Sequence, residues 1–157
     1  MFKNFKIQSG PLILSSVVDV HEAEKQLNII FPTGYKEYVT QFGQGVLGGS
    51  YVRIYPPYRI VSELKDWRER IAEYWFWDDG RESLTQEQAL ESIIIGDTMD
   101  GDELVVHPSS PELIYVLPRY QEAMFIAGNG LPSAIEWLCS SGVLTKAFEE
   151  RNFEPFS

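Results

Sequence analysis

Residues 93–107 read Ile93-Ile94-Ile95-Gly96-Asp97-Thr98-Met99-Asp100-Gly101-Asp102-Glu103-Leu104-Val105-Val106-His107. Two β-branched or apolar runs, 92–95 and 103–107, flank a polar centre at Asp100-Gly101. Asp-Gly between such runs is a hairpin signal, because glycine tolerates positive φ and aspartate bonds its own backbone. A third run, Leu113-Ile114-Tyr115-Val116-Leu117, follows after turn residues, so the middle of the chain reads as an antiparallel meander. Residues 120–125 are expected to add another strand, and Gly128-Asn129-Gly130 to turn the chain.

Helical periodicity lies on both sides of this meander. Asp19-Val20-His21-Glu22 has the spacing of a capping box, with a short amphipathic helix running on to Leu27. Pro32 suits the first position of a second helix that carries Tyr35, Tyr38, Val39 and Phe42. Ile60, Leu64, Trp67, Ile71 and Tyr74 are spaced 4, 3, 4 and 3, which predicts a core-facing helix from about Ile60 to Trp75. Leu84 to Leu90 reads as a short helix capped by Ser83, and 131–138 as a further helix. A last helix from Val143 to Glu150 is expected to precede a frayed tail. Gly43-Gln44-Gly45-Val46-Leu47-Gly48 spells G-x-G-x-x-G. It follows a helix and leads into a strand at 51–55, the reverse of a dinucleotide site, so a flexible loop is the better reading. Helices early, strands in the middle and helices late give an α+β domain. One domain over residues 1–157 is expected, with its core at about 19–150 and an antiparallel sheet of central hairpins flanked by N-terminal, middle and C-terminal helices.

Charge is the second feature. The chain carries −10, and the window 73–112 holds eleven acids against the single base Arg81, so the remainder is balanced. Such a balance argues against nucleic-acid binding, which rests on cationic contacts to phosphate, and favours a basic protein partner. No stretch approaches the ~20 apolar residues of a membrane helix. The single cysteine, Cys139, permits no intramolecular disulfide and no cysteine-rich zinc site. The N-terminal residues lack a signal-peptide pattern, and a cytoplasmic location is the expectation.

Three chemistries could use the acids. A metal site is one, but Asp97 to Asp102 has the wrong register for a calcium loop, and His21 and His107 have no paired ligand spacing. Catalytic carboxylates are another, yet such pairs need environments that separate their pKa values, and a turn crowded with acids is ordinarily solvated. No G-x-S-x-G elbow is present, and Cys139 lies within an apolar helix pattern. The third reading is turn chemistry on a solvated face, and the alternative to it is a docking surface, since the turn alone does not account for eleven acids within forty residues. Tyr74-Trp75-Phe76-Trp77 places four aromatics beside the acids, too many for one helical face to hide, although a core cluster explains part of it. The candidate partner-binding residues are therefore Trp75, Trp77, Asp78, Asp79, Glu82, Asp97, Asp100, Asp102 and Glu103. No catalytic residue, metal or cofactor is assigned.

Several stretches together resemble the SUKH superfamily, a group that includes yeast cell-wall synthesis regulators and many bacterial proteins. They are Glu22 to Leu27, then Phe31-Pro32-x-x-Tyr35-Lys36-Glu37-Tyr38-Val39-x-x-Phe42-Gly43-x-Gly45, then Ile95-Gly96-Asp97 with Gly101-Asp102-x-Leu104, and late Ile135-Glu136-Trp137-Leu138. The position before Pro32, usually leucine, is Phe31, and the tryptophan-rich helix at 60–77 has no clear counterpart. The resemblance implies an α+β domain with an antiparallel sheet. It also implies a non-enzymatic binding protein, in bacteria often an immunity protein that neutralises a cognate toxin. An acidic inhibitor suits a basic, nuclease-type toxin, because opposite charge speeds encounter and covers a phosphate-handling surface. The alternatives are a regulatory or scaffold domain with an endogenous partner, and a metal-assisted hydrolase that uses the acidic cluster.

Overall fold

A computed structural model describes residues 1–77 and 84–156. The elements in chain order are β1 (Lys6–Ile7), α1 (Val17–Leu27), α2 (Tyr35–Gln41), β2 (Gly45–Leu47), β3 (Val52–Ile54), α3 (Pro57–Glu73), α4 (Gln86–Leu90), β4 (Ile93–Thr98), β5 (Glu103–Val106), β6 (Leu113–Leu117), β7 (Phe125–Asn129), α5 (Leu131–Ser140) and β8 (Asn152–Pro155). The strands form one sheet in the order β1-β8-β2-β3-β4-β5-β6-β7, antiparallel except for the β1–β8 pair. With five helices among the described residues it is an α+β domain.

The hairpin read from residues 93–107 is the centre of this sheet. β4 and β5 pair antiparallel, with Asp97 opposite Glu103. Gly101 has φ +96°, which its neighbours in the turn could not adopt without strain. β3 lies on the other side of β4, with Arg53 opposite Asp97. The meander continues through β6 to β7, but β7 begins at Phe125, so the strand expected over 120–125 lies further along the chain. Gly128 and Asn129 belong to that strand, and the turn falls on Gly130.

Helix starts follow local hydrogen-bond chemistry. The capping box of α1 is Ser16 with Asp19, one turn earlier than Asp19 with Glu22: Asp19 N–H donates to Ser16 Oγ and Ser16 N–H to Asp19 Oδ2, both at 3.0 Å. Pro32 sits before α2, in the turn that leads to it, and the helix starts at Tyr35. α3 buries Ile60, Leu64, Trp67 and Ile71, as the 4-3-4 spacing requires. It stops at Glu73, because Tyr74 turns extended (φ −127°, ψ 109°) and leaves its ring 68% exposed. α4 is capped by Thr85, whose hydroxyl accepts from Gln88 N–H at 3.1 Å. Ser83, the cap expected there, lies outside the described residues.

Two expectations fail for tertiary reasons. The glycine-rich segment 43–48 is not a flexible loop; it contains β2, which pairs with both β3 and β8. A Cβ on Gly45 would lie 2.4 Å from the Glu154 carbonyl oxygen, so only glycine lets the two strands approach this closely. The segment 143–150 forms no helix, and residues 151–156 after it are not frayed. Arg151 donates to the carbonyls of Phe148 (2.9 Å) and Glu150 (3.0 Å), to Ser140 Oγ (2.8 Å) and to the Glu136 carboxylate. That guanidinium fixes the irregular segment against α5 and delivers Phe153, fully buried, to the ring cluster of Tyr38 and Phe42.

α3 packs on β4, α5 on β7, and α1 on α3. No described helix is long and apolar enough to cross a membrane.

Candidate docking face

The acids of the central hairpin divide into those with internal partners and those facing solvent. Asp97 receives a bidentate interaction from Arg53 across the β3–β4 pair, and the Tyr55 hydroxyl donates to it at 2.9 Å. Burial pushes the Tyr55 phenol well above its ordinary pKa, and the Asp97 charge adds to that. Asp102 is 3% exposed. It accepts from Thr98 Oγ1 at 2.7 Å and from the Arg119 backbone N–H at 3.0 Å, tying the hairpin turn to the end of β6. Glu103 accepts from Trp67 Nε1 at 3.1 Å and pairs with Arg70, which joins β5 to α3. Burial raises the Glu103 pKa, and Arg70 and Trp67 oppose it. Glu112, at the edge of the acidic window, accepts from Thr33 N–H (3.0 Å) and Thr33 Oγ1 (2.8 Å). Asp100 is exposed at the tip of the turn.

The aromatic run is split in the same way. Trp77 is 4% exposed, and its Nε1 donates to the Pro118 carbonyl at 2.7 Å. Trp75 is half-buried with its ring edge-on to Trp77, centroids 5.2 Å apart. Phe76 stacks on Trp77 at 4.2 Å and remains 41% exposed. Asp78, Asp79 and Glu82, expected among the partner-binding residues, lie outside the described residues.

These bonds bring three segments together. Trp77 holds residues 75–77 against Pro118, and Arg119, the next residue, is held by Asp102 of the hairpin turn. Tyr120, 79% exposed under the Arg119 guanidinium at 5.6 Å, and Met99, 54% exposed, lie on the same segments. Neither was picked out by the sequence reading. The signal was weak: an aromatic two residues after a strand-ending proline, and a methionine in an acidic turn. Phe76, Met99 and Tyr120 are thus apolar side chains displayed on segments whose neighbouring acid, Asp100, is exposed. Large apolar side chains ringed by charge are the usual make-up of a protein interface.

Among the described residues, no three side chains of the kinds that ligate metals converge. His107 Nδ1 meets Ser109 Oγ at 2.7 Å and Nε2 meets Glu91 Oε1 at 3.2 Å. The serine contact lies within the turn closed by Ser110 N–H on the His107 carbonyl, and the same Nδ1 also meets the Ser109 backbone N–H, which is how a local turn is satisfied. Cys139 is fully buried, and burial raises its thiol to about 11, away from the thiolate that nucleophilic chemistry needs.

A family model described as SMI1-KNR4 cell-wall (SUKH_6) matches residues 18–128, more than half of the chain and the stretch from the second residue of α1 to the penultimate residue of β7. No curated protein matches.

Proposed function

Because this chain belongs to the SMI1-KNR4 cell-wall family, SUKH_6, we propose that it is a non-enzymatic binding protein, and specifically an immunity protein that occludes a basic, nuclease-type toxin. One observation carries the reading: three apolar side chains, Phe76, Met99 and Tyr120, are exposed on segments joined through Trp77–Pro118 and Asp102–Arg119, at the most acidic part of the chain. The apolar side chains anchor the partner. Asp100, with Asp78, Asp79 and Glu82 within five residues after Trp77 in sequence, supplies attraction for its cations. Trp75 and Trp77 support the face from beneath. Asp97, Asp102 and Glu103 shape it through their internal bonds and add field without direct contact.

The partner's cationic, phosphate-handling surface meets these carboxylates, and steering raises its encounter rate. Replacing Asp78, Asp79 and Asp100 by lysine tests this against the cognate toxin by stopped-flow association at several salt concentrations. The expected result is slower association with a flatter salt dependence and intact folding. Association unchanged in rate and salt slope would remove the acidic face as the docking site. A complex that instead needs only Phe76 and Tyr120 would leave the site in place but fit the alternative of an endogenous, uncharged partner.

A further inference from the structure

α1 and α3 lie side by side and leave a groove between them. Asp19 and Glu22 of α1, with Tyr58 of α3, line its first half. Leu27 of α1, with Lys65 and Arg68 of α3, lines its second half. Gln26 and Val61 line both halves and mark its middle. The two helices therefore begin at the same end of the groove. That end carries the carboxylates of Asp19 and Glu22, and the other carries Lys65 and Arg68, with Glu69 also present there. Val18 and Tyr58, 66% and 62% exposed, add uncovered apolar surface to the same pair of helices.

A groove of opposite charge at its two ends is complementary to itself under a two-fold rotation. Glu22 precedes Gln26 by four residues, and Lys65 follows Val61 by four. At a rise of 1.5 Å per residue, each lies about 6 Å from the middle, on opposite helices and in opposite directions. Rotation about an axis that lies in the face, passes through that middle and runs perpendicular to the line from Glu22 to Lys65 turns the face over and carries Lys65 of one copy onto Glu22 of the other. It does so twice, as an isologous contact requires. We propose that the α1–α3 face joins two copies of this chain, with Lys65 of each copy paired to Glu22 of the other and Tyr58 and Val18 closing the apolar flanks. This surface is independent of the toxin-docking face.

Sedimentation velocity over a concentration series tests it at about 0.15 M salt, where a Debye length of about 8 Å screens the net charge but leaves contact pairs intact. The wild-type chain should show a reversible monomer–dimer equilibrium. Glu22→Lys and Lys65→Glu should each weaken the dimer by about tenfold, because each substitution places like charges together twice. The double variant Glu22→Lys/Lys65→Glu should regain wild-type association, since both sides of the pair are exchanged. Both side chains are exposed, and circular dichroism verifies that the variants fold. A chain that stays monomeric throughout, or a dimer indifferent to the single variants or not rescued by the double variant, overturns the proposal.

Discussion

The indole Nε1 of Trp77 donates to the backbone carbonyl of Pro118 at 2.7 Å, across forty-one residues. This bond sets the end of the aromatic run. It turns Trp77 into the protein and leaves its neighbour Phe76 outside.

Trp77→Phe keeps an aromatic ring but orphans the Pro118 carbonyl, which is buried. An unsatisfied buried acceptor costs about 1–3 kcal/mol, and urea unfolding should show a loss of that size. Partner binding should weaken as well, since Phe76 is left against a smaller ring that is no longer anchored to Pro118. A variant with wild-type stability would mean that the carbonyl finds water instead.

Asp100 and Asp102 are two residues apart and should behave oppositely. Asp102→Ala leaves Thr98 Oγ1 and the Arg119 N–H without their acceptor and should cost about 2–3 kcal/mol by denaturant melts. Asp100→Ala is exposed and should change stability by less than about 0.5 kcal/mol while slowing toxin association. Equal effects on stability would contradict the division of the acids between fold and surface.

Glu103 gives a pH signature. Burial raises its pKa, so the folded chain holds this proton more tightly than the unfolded chain does. Its contribution to stability is complete in acid and declines as pH rises from the ordinary glutamate value of 4.5 through the raised folded value. Glu103→Gln resembles the protonated side chain. The stability of the variant minus that of wild type should therefore be near zero in acid and should grow in the variant's favour through that window, then level off. A difference that falls with pH, followed by urea midpoints at matched ionic strength, would show that Arg70 outweighs burial.

The C-terminal strand should behave as core. Phe153 is fully buried against Tyr38 and Phe42, and Phe153→Ala should cost about 3–5 kcal/mol. Removing residues 151–157 should do at least as much damage, because Arg151 leaves with them. Thermal unfolding monitored by near-ultraviolet dichroism reports both. A truncated chain with an unchanged midpoint would return the segment to the status of a tail.

The aromatic and acidic clusters show what sequence periodicity can and cannot resolve. The 4-3-4 stripe of α3 gave its buried face correctly as far as Ile71, because one helix turn is a local relation. Tyr74 broke the pattern because the chain leaves the helix there to carry Trp77 to Pro118. The acids of the hairpin are alike in sequence. Asp97 is neutralised by Arg53, forty-four residues away, and Glu103 by Arg70, thirty-three away. Nothing in a window of neighbours distinguishes them from Asp100.

By itself, then, the sequence determined the central hairpin, the buried stripe of α3, the α+β class, the net charge and the family. Each of these depends on residue type at short spacing or on a pattern shared along the chain. Tertiary structure decided which acids face solvent, which of four consecutive aromatics turns inward, and that residues 152–155 close the sheet between β1 and β2. These outcomes depend on which distant donor, ring or strand edge folding brings within hydrogen-bond or van der Waals reach.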